Sequence, residues 1–263
     1  MELAGKTAFI TGGGGGIGAG IGAALVERGM RVALADIDLD RASREAELLG
    51  QAARAVLIDV TDERSWAVAK AEIEADFGAV DVLCNNAGVG TPPRLLDETS
   101  PALFSKVLAV NVTGVFNGIR AFAPDMKGRR RGHIVNTASL NGLLAHGTFG
   151  AYSASKFAVT GMTDALRQEL APFGIGVSTL YPGLTRSYMS LSEDTAALLA
   201  EMPEEARMSQ MMDPLWLGRA VAGAIENNRE HIITHPSVKA ELARRQMALL
   251  AAFGEPAQPG YAG

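Results

Sequence analysis

Tyr152 and Lys156 stand four residues apart in a segment, residues 151–172, whose composition predicts a helix. At this spacing two side chains share one helix face. An ammonium group beside a phenol favours the phenolate and should lower the tyrosine pKa, so the pair could act as a general acid and base. The same spacing also occurs in ordinary surface pairs, so the chemistry depends on what the rest of the chain places beside these two side chains.

A glycine-rich stretch, Thr-Gly-Gly-Gly-Gly-Gly-Ile-Gly at residues 11–18, joins a short apolar run to a predicted helix. Glycines let backbone N–H groups approach a pyrophosphate closely, and a helix N-terminus favours its negative charge. A flexible turn is the alternative, but a strand before and a helix after the glycines favour nucleotide binding. The spacing is Gly-x-x-x-Gly-x-Gly, with the glycines at Gly12, Gly16 and Gly18.

Asp36 ends the second apolar run, 18 residues after Gly18. A carboxylate at this distance can accept hydrogen bonds from ribose hydroxyls and would repel a phosphate on the same ribose. The glycine loop contains no arginine or lysine to pair with such a phosphate. Both features favour NAD over NADP. Asp38 is better explained as the N-cap of the next helix, and a solvated turn acid is the alternative for Asp36.

Apolar runs alternate with helical patterns along the whole chain. Strands are predicted at residues 6–11, 31–35, 53–58, 80–84, 133–137, 176–181 and 231–234. Helices are predicted at residues 17–28, 39–49, 62–77, 101–126, 150–173, 213–226 and 238–253. Continuously apolar strands indicate a parallel sheet covered on both faces. We therefore predict an α/β protein with one domain, residues 1–263, built on a Rossmann-type doubly wound sheet of about seven parallel strands with helices on both faces.

Composition excludes several classes of function. The net charge of -5 predicts no broad basic surface, so nucleic acid is not an expected partner, and the basic run at residues 127–131 is interpreted as a solvated loop. The single cysteine, Cys84, excludes an internal disulfide and is interpreted as buried filler in a reducing compartment. No apolar stretch is judged long enough to span a membrane, no signal peptide is recognised and no metal site is predicted. We expect a cytoplasmic protein that does not bind membranes.

Further motifs occur in the same order and register as in the short-chain dehydrogenase/reductase family, which the chain resembles along nearly all of its length. They are Asp59-Val60 after the third strand, Asn85-Asn86-Ala87-Gly88 after the fourth, Asn111 in the long helix, Ser139 13 residues before Tyr152, and Tyr181-Pro182-Gly183-Leu184 after the sixth strand. Ser187 stands where the family pattern Pro-Gly-x-x-x-Thr has threonine, which keeps a hydroxyl group at this position.

The resemblance implies a catalytic set of Asn111, Ser139, Tyr152 and Lys156. Tyr152 would exchange the proton with the substrate oxygen, Lys156 would lower its pKa and hold the nicotinamide ribose, Ser139 would polarise the substrate oxygen, and Asn111 would hold a water that links Lys156 to solvent. The implied cofactor contacts are Gly12, Gly15, Gly16, Ile17, Gly18, Asp36, Ile37, Asp59, Val60, Asn86, Ala87, Gly88, Tyr152, Lys156, Pro182, Gly183, Leu184 and Ser187.

The substrate is expected to meet Ser139, Tyr152, Asn141 and His146, although His146 could equally be an ordinary loop histidine. Residues 186–212 are expected to form a methionine-rich substrate lid, and residues 236–263 a C-terminal extension. The segment at residues 230–236, with the predicted helix that follows it to residue 253, resembles a branch of the family that handles aryl or bulky secondary alcohols and ketones, including bacterial dehydrogenases of lignin-type benzylic alcohols.

The expected activity is therefore NAD-dependent oxidation of a bulky, aromatic secondary alcohol. The alternatives are an NADPH-dependent carbonyl reductase and a non-catalytic nucleotide-binding regulator, and the intact catalytic set argues against the regulator. The two long helices resemble the family's four-helix dimer interface, which implies a homodimer or homotetramer.

Overall fold

A computed structural model describes residues 1–187 and 211–254. The strands are β1 (Thr7–Thr11), β2 (Arg31–Asp36), β3 (Ala53–Leu57), β4 (Val82–Asn85), β5 (His133–Thr137), β6 (Gly176–Tyr181) and β7 (His231–Ile233). The helices are α1 (Gly16–Val26), α2 (Leu39–Leu49), α3 (Glu63–Phe77), α4 (Pro101–Leu108), α5 (Gly114–Arg129), α6 (Gly150–Leu170), α7 (Pro214–Glu226) and α8 (Lys239–Ala251). Asp38 caps α2 as predicted, since its side chain accepts a hydrogen bond from the backbone N–H of Arg41.

The seven strands form one sheet in the order β3-β2-β1-β4-β5-β6-β7, and every pair is parallel. This confirms the predicted doubly wound fold. The chain moves outward from β1 to β3 in one direction and then continues from β4 on the other side of β1. The carboxyl ends of β1 and β4 therefore flank a crevice, which is where ligands bind in sheets of this type.

The core lies on both faces of the sheet because successive side chains of β1 point in opposite directions. Ile10 joins the apolar cluster that contains Ile21 of α1 and Leu217 of α7. Phe9 joins the opposite cluster, where its ring lies 5.9 Å from that of Trp66 and 5.1 Å from that of Phe122. Each fully buried side chain of this size stabilises the fold by about 1.5–3 kcal/mol.

The helix predicted at residues 101–126 is interrupted. Five residues, Ala109–Thr113, adopt a π-helix between α4 and α5, and the helical segment continues to Arg129. The whole segment Pro101–Arg129 has a window of mean hydropathy 1.4, so by length and composition alone it could cross a membrane, contrary to the sequence prediction. Core helices of soluble proteins pass the same test. Single-turn π segments often occur at functional sites, and Asn111 lies in the middle of this one.

The basic run at residues 127–131 is more than a solvated loop. The guanidinium of Arg129 donates to the carbonyl of Val80 at 2.7 Å, and that of Arg131 pairs with the buried carboxylate of Asp81 at 2.9 Å. These contacts fasten the end of α5 to the loop before β4. Cys84 is fully buried and burial raises its pKa to about 12, in keeping with its interpretation as apolar filler.

Candidate active site

A cavity of about 500 Å³ opens at the carboxyl ends of the central strands. Its walls bring together most of the residues singled out from the sequence, which come from five separate strand ends and from the start of α6. The predicted residues on the walls are Gly12, Gly15, Ile17, Asp36, Asn86, Ala87, Gly88, Ser139, Asn141, Tyr152, Lys156, Pro182, Gly183, Leu184 and Ser187.

The glycine loop is shaped by backbone that other residues could not adopt. Gly16 has φ +54°, and a Cβ there would lie 2.6 Å from the Cβ of Ser187. Gly18 has no room for a side chain, because a Cβ would lie 2.1 Å from the carbonyl oxygen of Gly12. The loop thus folds tightly onto the start of α1, which directs the helix N-terminus towards the cavity.

Asp36 ties the glycine loop to β2. Its Oδ2 accepts a hydrogen bond from the backbone N–H of Gly14 at 2.9 Å, and its Oδ1 accepts one from that of Asp38 at 3.0 Å. A carboxylate offers about four acceptor positions, so two backbone donors leave capacity for ribose hydroxyls. Together the loop amides, the helix N-terminus and this carboxylate fit the pyrophosphate and ribose of a dinucleotide.

Hydrogen bonds between the ends of β1 and β4 fix the stretch of wall next to the glycine loop. The side-chain oxygen of Thr11 accepts hydrogen bonds from the backbone N–H groups of Asn86 and Ala87, at 2.9 and 3.0 Å. The amide of Asn86 donates in return to the carbonyl of Thr11 at 3.0 Å. The backbone of residues 86–88 is therefore held rigidly beside the glycines.

Asn111 supports the next stretch of the same wall from behind. Its Oδ1 accepts from the backbone N–H of Val89 at 2.8 Å, while its Nδ2 donates to the carbonyl of Val89 and to Ser155, both at 3.0 Å. Asn111 is fully buried, and a Cβ on Gly88 would lie 3.2 Å from its Oδ1 and 3.5 Å from the Nζ of Lys156. The side chain of Asn111 is thus occupied in positioning this loop and α6.

Tyr152 and Ser139 meet on the cavity wall, where the hydroxyl of Ser139 hydrogen-bonds the phenol oxygen of Tyr152. Burial raises the pKa of Tyr152, and the bond from Ser139 offsets part of that rise. The sequence predicted a net lowering by Lys156. The net direction is the opposite one, because the effect of burial on the pKa of Tyr152 outweighs that of the hydrogen bond from Ser139.

Lys156 lies beneath the tyrosine. Its Nζ donates to the carbonyl of Thr137 at 3.0 Å and stands 5.5 Å from the centroid of the Tyr152 ring. The side chain is buried, and this burial lowers the pKa of Lys156 to about 8. The helical spacing of the two residues therefore does place them together, as predicted, but the ammonium faces the ring and a backbone carbonyl.

A comparison with known protein families identifies the family of this chain. Residues 6–197 match the family model described as short chain dehydrogenase. The chain belongs to the short-chain dehydrogenase family. It is an oxidoreductase that acts on alcohol groups, and members of this family bind a nicotinamide cofactor.

Individual relatives cover most of the chain. A Mycobacterium tuberculosis protein named 3-alpha-(or 20-beta)-hydroxysteroid dehydrogenase is 39% identical over 192 residues, 72% of each protein. A Sphingobium sp. protein named C alpha-dehydrogenase is 31% identical over 261 residues, 93% of this chain and 85% of the relative. The crystal structure of a Burkholderia phymatum short chain dehydrogenase/reductase in complex with NAD superposes with a TM-score of 0.87 at 31% identity, covering 98% of this chain and 99% of that one.

Several predicted site residues of this dehydrogenase lie outside the cavity wall. Besides Asn111 and the two tightly packed glycines, Gly16 and Gly18, they are Ile37, Asp59, Val60 and His146. Ile37 is 71% exposed, Asp59 accepts hydrogen bonds from Thr61, and the carbonyl of Val60 accepts from Trp66. Their contacts with a cofactor remain predictions. His146 is exposed and hydrogen-bonds Thr148 at 3.1 Å, which agrees better with an ordinary loop histidine.

Several wall residues of the dehydrogenase were missed from the sequence, among them Arg41, Phe149 and Thr185. Arg41 lines the cavity from the first turn of α2 and pairs with Asp38 at 3.0 Å. Phe149 lines it from the residue before α6, and Thr185 from the loop after β6. The N-cap at Asp38 could have indicated Arg41, since a residue three positions into a helix lies beside the preceding strand end.

The proposed lid, residues 186–212, falls mainly outside the described residues, and so does the end of the C-terminal extension, from residue 255. The two chain segments that flank residues 188–210 are joined. The backbone N–H of Arg186 donates to the carbonyl of Met212 at 3.1 Å, and the backbone N–H of Met212 donates to the carbonyl of Leu184 at 3.0 Å. The side chain of Arg186 also pairs with Asp213. These contacts hold the two flanking chain segments together beside the cavity.

Proposed function

We propose that the protein is an NAD-dependent dehydrogenase that oxidises a bulky, aromatic secondary alcohol to a ketone. The observation that carries the proposal is one cavity in which the Ser139–Tyr152 hydrogen bond and the buried Lys156 face a glycine loop tied to Asp36. The remaining arguments concern the cofactor, the proton and the substrate in turn.

Asp36 supports NAD. Its carboxylate lines the cavity next to Gly14 and would repel the phosphate that distinguishes NADP. Arg41 lines the same corner and is the residue that would favour NADP, but its guanidinium already pairs with Asp38. The similar Burkholderia protein was crystallised with NAD, which agrees with this assignment.

Tyr152 supplies the proton chemistry. In alcohol oxidation its phenol oxygen takes the hydroxyl proton of the substrate, and in ketone reduction it returns that proton. Ser139 hydrogen-bonds the phenol oxygen of Tyr152. Its hydroxyl would also donate to the substrate oxygen and stabilise the negative charge that develops there. When bound, the oxidised nicotinamide supplies the hydride acceptor and a positive charge.

Lys156 and Asn111 act from behind the reacting atoms. The ammonium of Lys156, held by the carbonyl of Thr137, adds positive charge beneath the phenol and stabilises its ionised form. The side chain of Asn111 fixes Val89 and Ser155, which keeps the start of α6 against the wall of the cavity. A water relay from Lys156 past Asn111 stays a prediction.

The substrate end of the cavity favours an apolar, flat molecule. Leu140, Phe149 and Leu184 line it, and Asn141 adds one polar group. An aromatic ring beside Phe149 would gain apolar burial together with ring–ring contact. A second candidate substrate class is the hydroxysteroids, because the 39% identical Mycobacterium relative is named for them.

A panel of alcohols tests the substrate class. Purified protein is incubated with NAD or NADP and with secondary benzylic alcohols, hydroxysteroids and short aliphatic alcohols, and reduced cofactor is followed by absorbance. We expect the highest kcat/KM with benzylic alcohols and NAD. Turnover of hydroxysteroids or short alcohols without turnover of benzylic ones would contradict the substrate assignment. A higher kcat/KM with NADP than with NAD would support the NADPH-dependent carbonyl reductase, and the complete absence of turnover with every alcohol would support the nucleotide-binding regulator.

A homodimer or homotetramer in the cytoplasm completes the proposal. The apolar segment Pro101–Arg129 is only one-third buried within the chain over its most apolar window, and Phe116 on it is 46% exposed. A second copy packing on this segment and on α6 would cover that surface. Light scattering after gel filtration should give at least twice the mass of one 27.5 kDa chain.

A further inference from the structure

His235 lies beside the loop that follows β6. Strands β6 and β7 pair in register through Tyr181 and Ile233, and both chains continue in the same direction beyond that pair. Two residues further on, the backbone N–H of Gly183 donates a hydrogen bond to Nδ1 of His235 at 3.0 Å. This contact continues the pairing of the two strands beyond their ends, through the side chain of His235. It reaches the cavity wall, where Gly183 lies.

The imidazole and Gly183 are fitted closely to each other. A Cβ on Gly183 would lie 2.5 Å from Cγ and 2.7 Å from Nδ1 of His235, so any side chain there would displace the ring. The φ angle of Gly183 is not positive, so the glycine is required for space. Pro236 restricts the preceding residue to extended backbone, and His235 has φ −125° and ψ 112°.

The hydrogen bonds also fix the tautomer of the imidazole. Nδ1 accepts from the N–H of Gly183, and the hydroxyl of Thr234 lies 2.8 Å from the same nitrogen. Since a backbone N–H can only donate, Nδ1 carries no proton and the ring proton is on Nε2, an assignment that follows from the network. His235 thus acts as a hydrogen-bond acceptor towards the loop.

We infer that His235 is a positioning residue that holds residues 182–184 in place for the nicotinamide end of the cofactor. The inference rests on the proposed function, because it assumes that the wall formed by Pro182, Gly183 and Leu184 contacts that end. His235 does not line the cavity itself. It acts through Gly183, so its loss should weaken contacts at the nicotinamide end and leave the adenosine end, held by the glycine loop and Asp36, unchanged.

The experiment compares two ligands and two substitutions. NAD contains the nicotinamide ring, whereas ADP-ribose contains the rest of the dinucleotide without it. His235→Leu keeps the size of the side chain and removes the acceptor, and His235→Asn places an amide oxygen where Nδ1 stands. Dissociation constants of both ligands are measured by calorimetry for the full chain, with the melting temperature of each variant as a check on folding.

We expect H235L to raise the Kd for NAD about three- to tenfold, the range of one hydrogen bond, while the Kd for ADP-ribose changes less than about twofold. H235N should restore NAD binding. If H235L does not fold, His235→Ala replaces it.

Equal weakening of NAD and ADP-ribose, or failure of H235N to restore NAD binding, would assign His235 a merely structural role and overturn the inference. An unchanged Kd for NAD in H235L would overturn it as well. If the unmodified protein bound neither ligand, the proposed function itself would fail, which separates the two results.

Discussion

The cavity has two halves that are built differently. The half around the glycine loop consists mainly of backbone: that of Gly12, Gly14 and Gly15, the start of α1 at Ile17, and one carboxylate, Asp36, that the loop itself holds. The reacting half consists of side chains, Ser139, Tyr152 and Lys156, which separate loops and α6 bring together. The first half depends on where glycines occur in one short stretch, and the second depends on how distant segments pack.

The halves also differ in electrostatics. In the reacting half, burial raises the pKa of Tyr152 and lowers that of Lys156 to about 8, so burial disfavours the charged form of both groups. Groups with opposed pKa shifts in one cleft are characteristic of acid–base sites. The glycine half instead offers fixed N–H dipoles that need no titration. Binding and chemistry should therefore be separable by mutation.

The largest effect is expected from Tyr152→Phe, which removes the phenol hydroxyl that exchanges the proton with the substrate and keeps the ring. The kcat should fall by about 10²–10⁴-fold while the Kd for NAD stays the same, because the loop amides are untouched. Val68→Ala, a change on the exposed face of α3 away from the cavity wall, is the control and should alter kcat by less than about twofold. A normal kcat in the Tyr152→Phe variant would contradict the assignment of Tyr152 as the general acid and base.

Lys156→Met should stabilise the fold although it removes activity. Below pH 8 Lys156 is protonated in the folded and in the unfolded state, and burial of its charge destabilises the folded state by the whole amount. Between about pH 8 and 10.5 the unfolded state binds more protons than the folded state. The destabilisation by Lys156 therefore decreases as the pH rises. The variant should exceed the wild type in free energy of unfolding by about 3 kcal/mol at pH 7, and the excess should shrink by about 2 kcal/mol between pH 7.5 and 9.5.

Denaturant titrations of both proteins at each pH measure this difference. Cys84, whose pKa is raised by burial, titrates in the opposite sense, and comparing variant with wild type cancels its contribution. Tyr152 contacts Lys156, but burial raises its pKa above the usual value of 10, so it titrates above this pH range. An excess that does not vary with pH would show that Lys156 is not held in a desolvated position.

Gly18→Ala tests the backbone half. The new Cβ would lie 2.1 Å from the carbonyl oxygen of Gly12, so the loop must shift. The binding free energy for NAD should therefore become less favourable by about 1–3 kcal/mol. Gly223→Ala is the control: no atom lies within 4 Å of that site on α7, and it should stabilise the helix by about 0.5–1 kcal/mol. Calorimetry measures the first effect and thermal unfolding the second. Unchanged NAD binding in Gly18→Ala would contradict the tight-loop account.

Asp36→Asn should have the smallest effect of the four. It should act mainly on cofactor preference and also loosen the glycine loop, because the amide nitrogen cannot accept the second of the two backbone N–H groups. The amide keeps one oxygen acceptor but loses the negative charge, so the ratio of kcat/KM for NAD over NADP should fall about tenfold or more. Arg41 then remains the nearest charged side chain on that wall. A ratio that does not change would mean that another feature selects the cofactor.

The sequence predicted the backbone half well because strand–glycine–helix patterns are local. The seven parallel strands and the positions of Gly12, Asp36 and Asn86 on the wall all follow from such patterns. Tyr152 and Lys156 were also predictable, because helical spacing is local too.

What the sequence could not give depends on long-range packing. The place of Phe149 on the wall follows from how the loop before α6 folds back, and that of His235 from the register between β6 and β7. The π-helix at Ala109–Thr113 and the net rise in the pKa of Tyr152 depend on burial by distant segments. Neither spacing nor composition reports those contacts.

The most direct test of the central claim follows the hydride itself. A secondary benzylic alcohol that carries deuterium at the carbinol carbon is incubated with the protein and NAD, and the cofactor is examined by proton NMR. The account predicts that deuterium appears at C4 of the reduced nicotinamide, on one face only, and that Tyr152→Phe binds NAD but gives no such product. Ketone formation with no deuterium in the cofactor, or equal transfer by the Tyr152→Phe variant, would contradict it.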